Sequence, residues 1–194
     1  MGRTQTFDTD EVVRAARTVF WARGYEAAAL PDLERATGLS RSSIYHAFGS
    51  KRGLFGAAVA SYLDEVIRPR LAPLTSAPVA PDALARYLDG LRAGLLRAGS
   101  LPATSGCLLV NSAGAPIGHD DEVAGAISGY RAELRAAIGN GVRAALPDRV
   151  PAAQDTLADA CTGLVVAAFV LVRVAPAEAV RALDTAGALL AAGA

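Results

Sequence analysis

The sequence has few of the residues that build covalent or metal-linked frameworks. Cys107 and Cys161 are its two cysteines, and they lie far apart. It contains no Cys-x-x-Cys pair and no Cys/His cluster, which argues against a disulfide framework and a structural zinc site. It also lacks a glycine-rich phosphate loop and a recognisable nucleophile–base pairing. We therefore expect no cofactor, no metal ion and no catalytic residue.

A strong net charge and long apolar runs are missing too. The 19 basic and 19 acidic residues cancel, and residues 1–55 carry only 8 basic against 6 acidic side chains. Charge alone therefore does not identify a nucleic-acid partner. The longest uncharged apolar run, between Asp159 and Arg173, is too short to span a bilayer. Because charged residues interrupt the first 20 residues, no signal peptide is expected. These features predict a cytoplasmic protein with no membrane partner.

Alanine, leucine and helical periodicity are abundant. Hydrophobic residues make up 52% of the chain and aromatic residues 6%. Apolar side chains recur at three- and four-residue spacing, and no strand-like alternation of useful length occurs. The pattern predicts an all-α protein of about nine helices. Their approximate ranges are 10–23, 31–37, 41–48, 51–67, 82–98, 106–113, 120–146, 152–174 and 176–191, with a proline-rich loop over 69–81.

Residues 10–54 are the most informative stretch, and they predict three short helices. Gly38 supplies a turn between the second and third helices, and Ser40 is placed to cap the third. Ile44 and Phe48 lie one turn apart and are expected to face inward. Two short helices joined by a tight turn are typical of a helix-turn-helix, which places its second helix in a DNA major groove.

Many positions in this stretch agree, at fixed spacing, with a known pattern. They are Ala16, Phe20, Gly24, Tyr25, Leu33, Ala36, Gly38, Leu39, Ser40, Ile44, Tyr45, His46, Phe48, Ser50, Lys51 and Leu54. Over about its first 55 residues the chain resembles the DNA-binding domain of the TetR/AcrR family of bacterial transcriptional regulators. The resemblance implies a helix-turn-helix DNA-binding domain over residues 1–50 and a helical ligand-binding and dimerisation domain over 51–194. The chain departs from the family at Arg52, where an acidic residue is common.

The outward face of the third helix carries candidate DNA contacts. Arg41 lies in the first turn and suits the two acceptors of guanine, while short serines allow close approach. The resemblance implies phosphate contacts by Tyr45, His46 and Lys51. Residues before the first helix could form an arm on the DNA backbone. The candidate DNA-binding residues are Arg41, Ser42, Ser43, Tyr45, His46, Lys51, Ser40, Arg3 and Thr6.

The last two predicted helices are candidates for a partner surface. One helix-turn-helix reads few base pairs, so such proteins usually pair on two-fold symmetric DNA. The eighth helix is apolar almost all round, and small residues on both helices permit close packing. We expect a homodimer through a four-helix bundle, as the resemblance also implies. The candidate interface residues are Gly163, Val166, Val170, Leu183, Gly187 and Leu190.

The middle helices then remain to enclose a small molecule. A mainly apolar site with a few polar groups is typical of such pockets. The candidate lining residues are Tyr62, Tyr87, Cys107, Asn111, Tyr130 and Phe169. Each aromatic residue could instead be ordinary core, and Cys107 could be a sensor of oxidants or electrophiles or simply a buried apolar residue. The acidic residues after His119 fit the start of a helix better than a metal site.

Together these features favour a ligand-responsive transcriptional repressor that binds a palindromic double-stranded DNA operator as a homodimer. Its effector would be an unknown, mainly apolar small molecule. An activator or a ligand-independent regulator is the alternative. An enzyme or small-molecule carrier, in which residues 56–194 do the chemistry, is a third hypothesis that no motif supports.

Overall fold

The computed structural model describes residues 7–193, and within this range the chain is helical and contains no β-strand. The helices are α1 (Thr9–Ala27), α2 (Leu30–Thr37), α3 (Arg41–Phe48), α4 (Lys51–Tyr62), α5 (Arg68–Thr75), α6 (Ala83–Leu96), α7 (Leu101–Ser105), α8 (Leu108–Ala113), α9 (Asp121–Ala145), α10 (Pro151–Leu171) and α11 (Pro176–Ala192). A π-helical turn (Leu63–Ile67) joins α4 to α5, and a 3₁₀ turn (Pro116–His119) precedes α9. The all-α prediction is confirmed. The described residues contain eleven α-helices where about nine were predicted. The two additional helices are α5, which continues from α4 as one rod, and the short α7.

Local sequence signals explain the first three helices. Asp8 caps α1 by accepting hydrogen bonds from the amides of Asp10 and Glu11. Gly38 has a left-handed backbone, with φ of 70°, and ends α2. Ser40 caps α3 by accepting from the amide of Ser43. These caps set the angle between α2 and α3, and that angle decides which face of α3 points outward.

The segment between α4 and α6 corrects one prediction. Its prolines predicted a loop from residue 69 onward, but residues 68–75 are helical. Pro69 lies in the first turn of α5, directly after the π-helical turn. That turn supplies continuity, because the amide of Arg68 bonds to the carbonyl of Leu63, five residues earlier. The rod α4–α5 therefore runs from the N-terminal helices into the second half of the molecule.

Aromatic packing fixes α1 against α4. The rings of Phe20 and Phe55 meet edge to face with centroids 5.0 Å apart, and both side chains are fully buried. Trp21 meets Tyr62 in the same way at 4.8 Å. Ile44 of α3 is also fully buried in this core. The hydrophobic face of α3 is thereby used inside the fold, which leaves its polar face outside.

The second half is a bundle in which α10 packs between α9 and α11. On its other side α9 packs against α5 and α6, and Gly141 shows how closely, because a Cβ there would lie 2.7 Å from Leu84 Cβ and 2.8 Å from Leu74 Cδ2. Of the described helices, α10 is the one whose length and apolar composition would suffice to cross a membrane, a test that core helices also pass. It is longer than the uncharged run because Asp155 and Asp159 belong to it and pair with Arg135 of α9.

Side chains of α1 and α4 tie the two halves together. The indole Nε1 of Trp21 donates to the carbonyl oxygen of Gly106 at 2.9 Å. Arg52 of α4 contacts Asp120 at 2.5 Å and Glu122 at 2.9 Å. The departure from the family pattern at Arg52 is thus matched by acidic partners at the start of α9. The DNA-binding half is held to the bundle by specific polar contacts as well as by apolar packing.

Candidate nucleic-acid interface

The outward face of α3 carries polar side chains that are not buried in the fold. Arg41, Ser42 and His46 are exposed, while Ile44 on the opposite face is fully buried. Tyr45 is half-buried at the flank, and its ring lies 5.2 Å from the guanidinium carbon of Arg41. The stacking leaves the N–H donors at the edge of the guanidinium available. Arg41 is therefore positioned by a neighbour on its own helix and remains free to meet another molecule.

The serines at the start of α3 are more constrained. The Ser40 hydroxyl oxygen accepts from the Ser43 amide at 3.2 Å and lies 2.9 Å from Ser42 Oγ and 3.0 Å from Ser43 Oγ. Ser40 thus has a structural role as the cap in addition to its predicted place at the interface. Ser40 and Ser42 are exposed and Ser43 is half-buried; since Ser40 is occupied as the cap, Ser42 is the serine best placed to reach DNA.

Two supporting residues were missed by sequence reasoning. Glu34 of α2 accepts a hydrogen bond from the Arg41 amide at 2.6 Å, which fixes the start of α3. Tyr25 lies under Lys51, whose Nζ is 4.5 Å from the ring centroid. Burial lowers the pKa of the Lys51 ammonium and raises that of the Tyr25 phenol. The spacing from Tyr25 to Lys51 carries no local signal, so this contact needed the fold to become visible.

Lys51 lies in the first turn of α4, after the cap residue Ser50, whose side chain accepts from the amide of Gly53 at 3.0 Å. Free N–H groups and a cation therefore occur together beside α3, an arrangement suited to a phosphate. Arg3 and Thr6 lie outside the described residues, so their predicted contacts stay predictions. Together, the exposed α3 face and this neighbouring basic turn define a helix-turn-helix DNA-binding protein.

Comparison with known proteins identifies the family. Residues 12–58 match the model described as "Bacterial regulatory proteins, tetR family". The chain is 30% identical to a TetR-family regulator, a CifR cysteine mutant, whose structure was solved with 26-bp double-strand operator DNA. That likeness covers 96% of this chain and 98% of the other, with a TM-score of 0.76. The chain belongs to the TetR family of transcriptional regulators.

Two curated relatives are similar over shorter stretches. An uncharacterized HTH-type transcriptional regulator, YezE of Bacillus subtilis (strain 168), is 36% identical over 128 residues, 64% of this chain and 62% of the relative. The HTH-type transcriptional repressor ComR of Escherichia coli (strain K12) is 35% identical over 112 residues, 57% of this chain and 52% of the relative. The matched stretches thus span between half and two thirds of these relatives' lengths.

A cavity of about 490 Å³ lies mainly between α5 and α6. Tyr87 and Phe169, two of the six residues predicted to line a pocket, lie on its walls. The other four predicted residues do not. The side-chain amide of Asn111 donates to the Ser105 carbonyl at 2.5 Å, so it stabilises the local backbone between α7 and α8. The remaining three, Tyr62, Cys107 and Tyr130, are packed in the core behind the cavity.

Those three residues form a buried polar cluster. The Cys107 thiol lies 4.0 Å from the Tyr130 hydroxyl, and all three side chains are buried. Burial raises the pKa of the thiol and of both phenols. A thiolate is the reactive form of cysteine, and this environment favours the neutral thiol. The cluster is therefore best explained as part of the core.

The residues predicted for the partner surface are mostly accessible on α10 and face inward on α11. Gly163 and Val170 of α10 are exposed, and Val166 is half-buried. The three residues on α11 lie on its inward side. Leu183 and Leu190 are buried in the protomer, and half-buried Gly187 lines a small groove against α6. Their roles at an interface stay predictions, and their placement shows that an apolar stripe at three- and four-residue spacing is also how a helix faces its own core.

The acidic residues after His119 have structural partners. Asp120 caps α9 by accepting from the Val123 amide at 3.1 Å, and it also pairs with Arg52. The Arg52 guanidinium is the main reason that the pKa of Asp120 falls from its usual 3.8 to about 2. Among residues 7–193 no group of three or more histidine, cysteine, aspartate or glutamate side chains is arranged to hold a metal ion.

Proposed function

We propose that the protein is a ligand-responsive repressor that binds a palindromic operator as a homodimer. The observation that carries the proposal is the exposed polar face of α3, backed by a fully buried Ile44. Support also comes from relatives, since ComR is named a repressor and the CifR structure contains operator DNA. Arg41 and Ser42 would read base edges, while Tyr45, His46 and Lys51 would hold phosphates.

A second protomer would dock on the outer face of α10. This face carries small and apolar residues over four turns, and it is open in the protomer. They are Thr156, Ala160, Gly163, Ala167 and Val170, and the exposed Val174 follows just after the helix. Leu189 of α11 adds an exposed leucine beside it, 42% accessible. An uncharged apolar strip of this kind is typical of a protein–protein contact, and its small residues allow helices to approach closely.

A connected set of contacts leads from the cavity to the DNA-binding helices. Phe169 lines the cavity, and its carbonyl oxygen would lie 2.4 Å from a Cβ at Gly106. Gly106 in turn accepts the hydrogen bond from Trp21 of α1. A ligand that shifts Phe169 would move this junction, while the rod α4–α5 gives a second route. Such a ligand must bind the DNA-competent and DNA-incompetent states unequally, because otherwise the equilibrium does not shift.

DNA binding is tested on the intergenic DNA next to the protein's own gene, by fluorescence anisotropy and footprinting over a range of salt. We expect a protected palindrome whose affinity falls steeply with salt yet survives competitor DNA. Arg41→Ala should cost about 1–3 kcal/mol and relax specificity at one base position. Lys51→Ala should weaken binding to all sequences and reduce the salt slope by about 1.

Arg131→Ala is the matched control, because Arg131 is exposed on α9 in the other half of the molecule. It should leave both affinity and salt slope unchanged. Equal losses in the Arg41 and Arg131 variants would show that bulk charge and not the α3 face binds DNA. Absence of any protected site in that intergenic DNA would remove the support for an autoregulatory operator.

The dimer is tested by light scattering coupled to size-exclusion chromatography. Gly163→Arg places a long charged side chain in the middle of the outer α10 face and should yield monomers. Leu96→Arg is the control, since Leu96 lies on α6 and is 56% exposed away from that face. A Gly163 variant that still elutes as a dimer, or a wild-type chain that is monomeric at micromolar concentration, contradicts the assigned interface.

A further inference from the structure

The cavity between α5 and α6 has an apolar interior with unused room. Leu91 and Phe169 contribute carbon surface to its walls. Gly90 and Gly94 lie one turn apart on α6, and no atom lies within 4 Å of the position where a Cβ would stand at either. The volume of about 490 Å³ falls in the range of small-molecule sites, roughly 300–1,000 Å³. The interior therefore suits the apolar body of a small ligand.

The walls of this cavity also carry charge of one sign. Arg70, Arg86 and Arg97 line it, and none of the aspartates or glutamates among residues 7–193 does. Arg86 is neutralised by Asp82, four residues earlier on the same helix turn. Within the described part of the chain, no carboxylate lies within ion-pair distance of Arg70 or Arg97. Since most other arginines of the bundle are paired, this pair of cations stands out.

Arg70 and Tyr87 line the same cavity, Arg70 as an exposed side chain and Tyr87 as a half-buried one. Burial raises the pKa of the Tyr87 phenol, and the positive charge of Arg70 opposes that rise. A phenol hydroxyl and a guanidinium fork both donate hydrogen bonds, so they complement an anionic oxygen.

We propose that this cavity binds an amphipathic organic anion, with its head group between Arg70, Arg97 and Tyr87 and its apolar body against Leu91 and Phe169. The inference deepens the proposed function and rests on it, because it names the chemical class of the effector. A guanidinium matches carboxylate and phosphate alike, so the shared requirement is a compact oxyanion on an apolar chain.

The test is calorimetry on the full-length protein without DNA, using octanoate, octyl phosphate and octan-1-ol as probes. We expect at least one of the two anions to bind about tenfold more tightly than the alcohol, since charge-assisted hydrogen bonds exceed neutral ones. The anion that binds more tightly identifies the preferred head group. Equal or tighter binding of octan-1-ol, or no binding of either anion at millimolar concentration, overturns the proposal.

Variants separate the head-group site from the cavity as a whole. Arg70→Gln combined with Arg97→Gln should abolish the preference for the anion, while Arg131→Gln, which removes one charge outside the cavity, should retain it. Gly94→Leu fills the interior and should weaken all three probes. A preference that survives the double variant contradicts the assigned head-group site. Melting curves of each variant establish that it is folded.

The same probes then separate this inference from the proposed switch. Octanoate or octyl phosphate, whichever binds, is titrated into the protein bound to its protected DNA site. Release of DNA supports both the ligand class and the switch. Binding in the calorimeter without release from DNA overturns the role of the cavity as the switch and leaves the anion site supported.

Discussion

The α3 face and the α5–α6 cavity are built in opposite ways. The α3 face is set by neighbours in the sequence: Ser40 caps the helix, and Ile44 anchors it from behind. The cavity is set by residues from four separate elements, including Arg70 of α5 and Phe169 of α10, which are almost 100 positions apart. One site is a pattern along a helix, and the other is a space between helices.

This difference explains which site tolerates change. Exposed side chains on α3 make few contacts that stability depends on, so their replacement alters what is recognised. Walls of the cavity belong to packed helices, where a replacement alters volume as well as chemistry. Three pairs of substitutions and one pH series sharpen the contrast, beginning with the largest expected effect.

Ile44→Ala should destabilise the protein far more than a substitution on the outward face of α3. Deleting a fully buried isoleucine side chain removes apolar burial and leaves a cavity, at a cost of about 2–5 kcal/mol in the free energy of unfolding. Ser42→Ala, on the exposed face two residues away, should change unfolding by less than about 0.5 kcal/mol. Urea denaturation measures both. A small effect at Ile44 would mean that α3 is not anchored by its inner face.

Gly141→Ala and Gly90→Ala should have opposite effects on stability, because one position is tightly packed and the other is open. The new methyl group would meet Leu84 Cβ at 2.7 Å, so overpacking should cost about 1–3 kcal/mol. Gly90→Ala is the matched change in an open position and should stabilise α6 by about 0.5–1 kcal/mol, because alanine favours helix. Opposite shifts in melting temperature are expected, and shifts of the same sign would contradict the mapped cavity.

Ser40→Ala should show that the cap supports the DNA-binding face. Loss of the hydrogen bond to the Ser43 amide should cost about 1 kcal/mol in unfolding free energy. Ser40→Asn preserves a capping oxygen and should restore most of that loss. If the asparagine variant is as unstable as the alanine variant, the hydroxyl contacts among the serines matter more than the cap.

The contact between Asp120 and Arg52 should give the smallest effect and a defined pH dependence. Because the pKa of Asp120 is lower in the folded protein than its usual 3.8, its contribution to stability is fully present above about pH 4. It is lost as the pH falls towards about 2. The difference in urea midpoint between wild type and Asp120→Asn should therefore be constant from pH 5 to 8 and shrink below about pH 4. A difference that changes near pH 6 would implicate another group.

The DNA-binding helices could be predicted because their signals are local. Gly38 predicts the turn, Ser40 predicts the cap, and the spacing of Ile44 and Phe48 predicts the inner face. The structure adds Glu34 and Tyr25, which act through contacts across helices. No periodicity in the sequence encodes such contacts, so they could be found only in three dimensions.

The cavity and the partner face were harder to predict, for one physical reason. Apolar residues at helical spacing indicate burial, but they do not show whether the core of the protomer, a ligand or a partner subunit covers them. Tyr62 and Tyr130 therefore looked like pocket walls and proved to be core, while Leu183 and Leu190 looked like an interface and proved to face their own protomer. Arg70 was missed because a proline-rich stretch concealed the helix that carries it.

The wide turn at Leu63–Ile67 has a consequence for where Arg70 points. A π-helical turn contains one residue more than an α-helical turn, and each residue rotates a helix by about 100°. Five residues wound as a π-helix rotate the chain by about as much as four residues wound as an α-helix, so this turn absorbs one residue without changing the phase of α5. Removing a residue from the regular winding of α4 would instead rotate every following side chain by about 100° relative to α1. Arg70 would then leave the cavity, so the π-helical turn is what lets this length of chain keep Arg70 on the cavity wall.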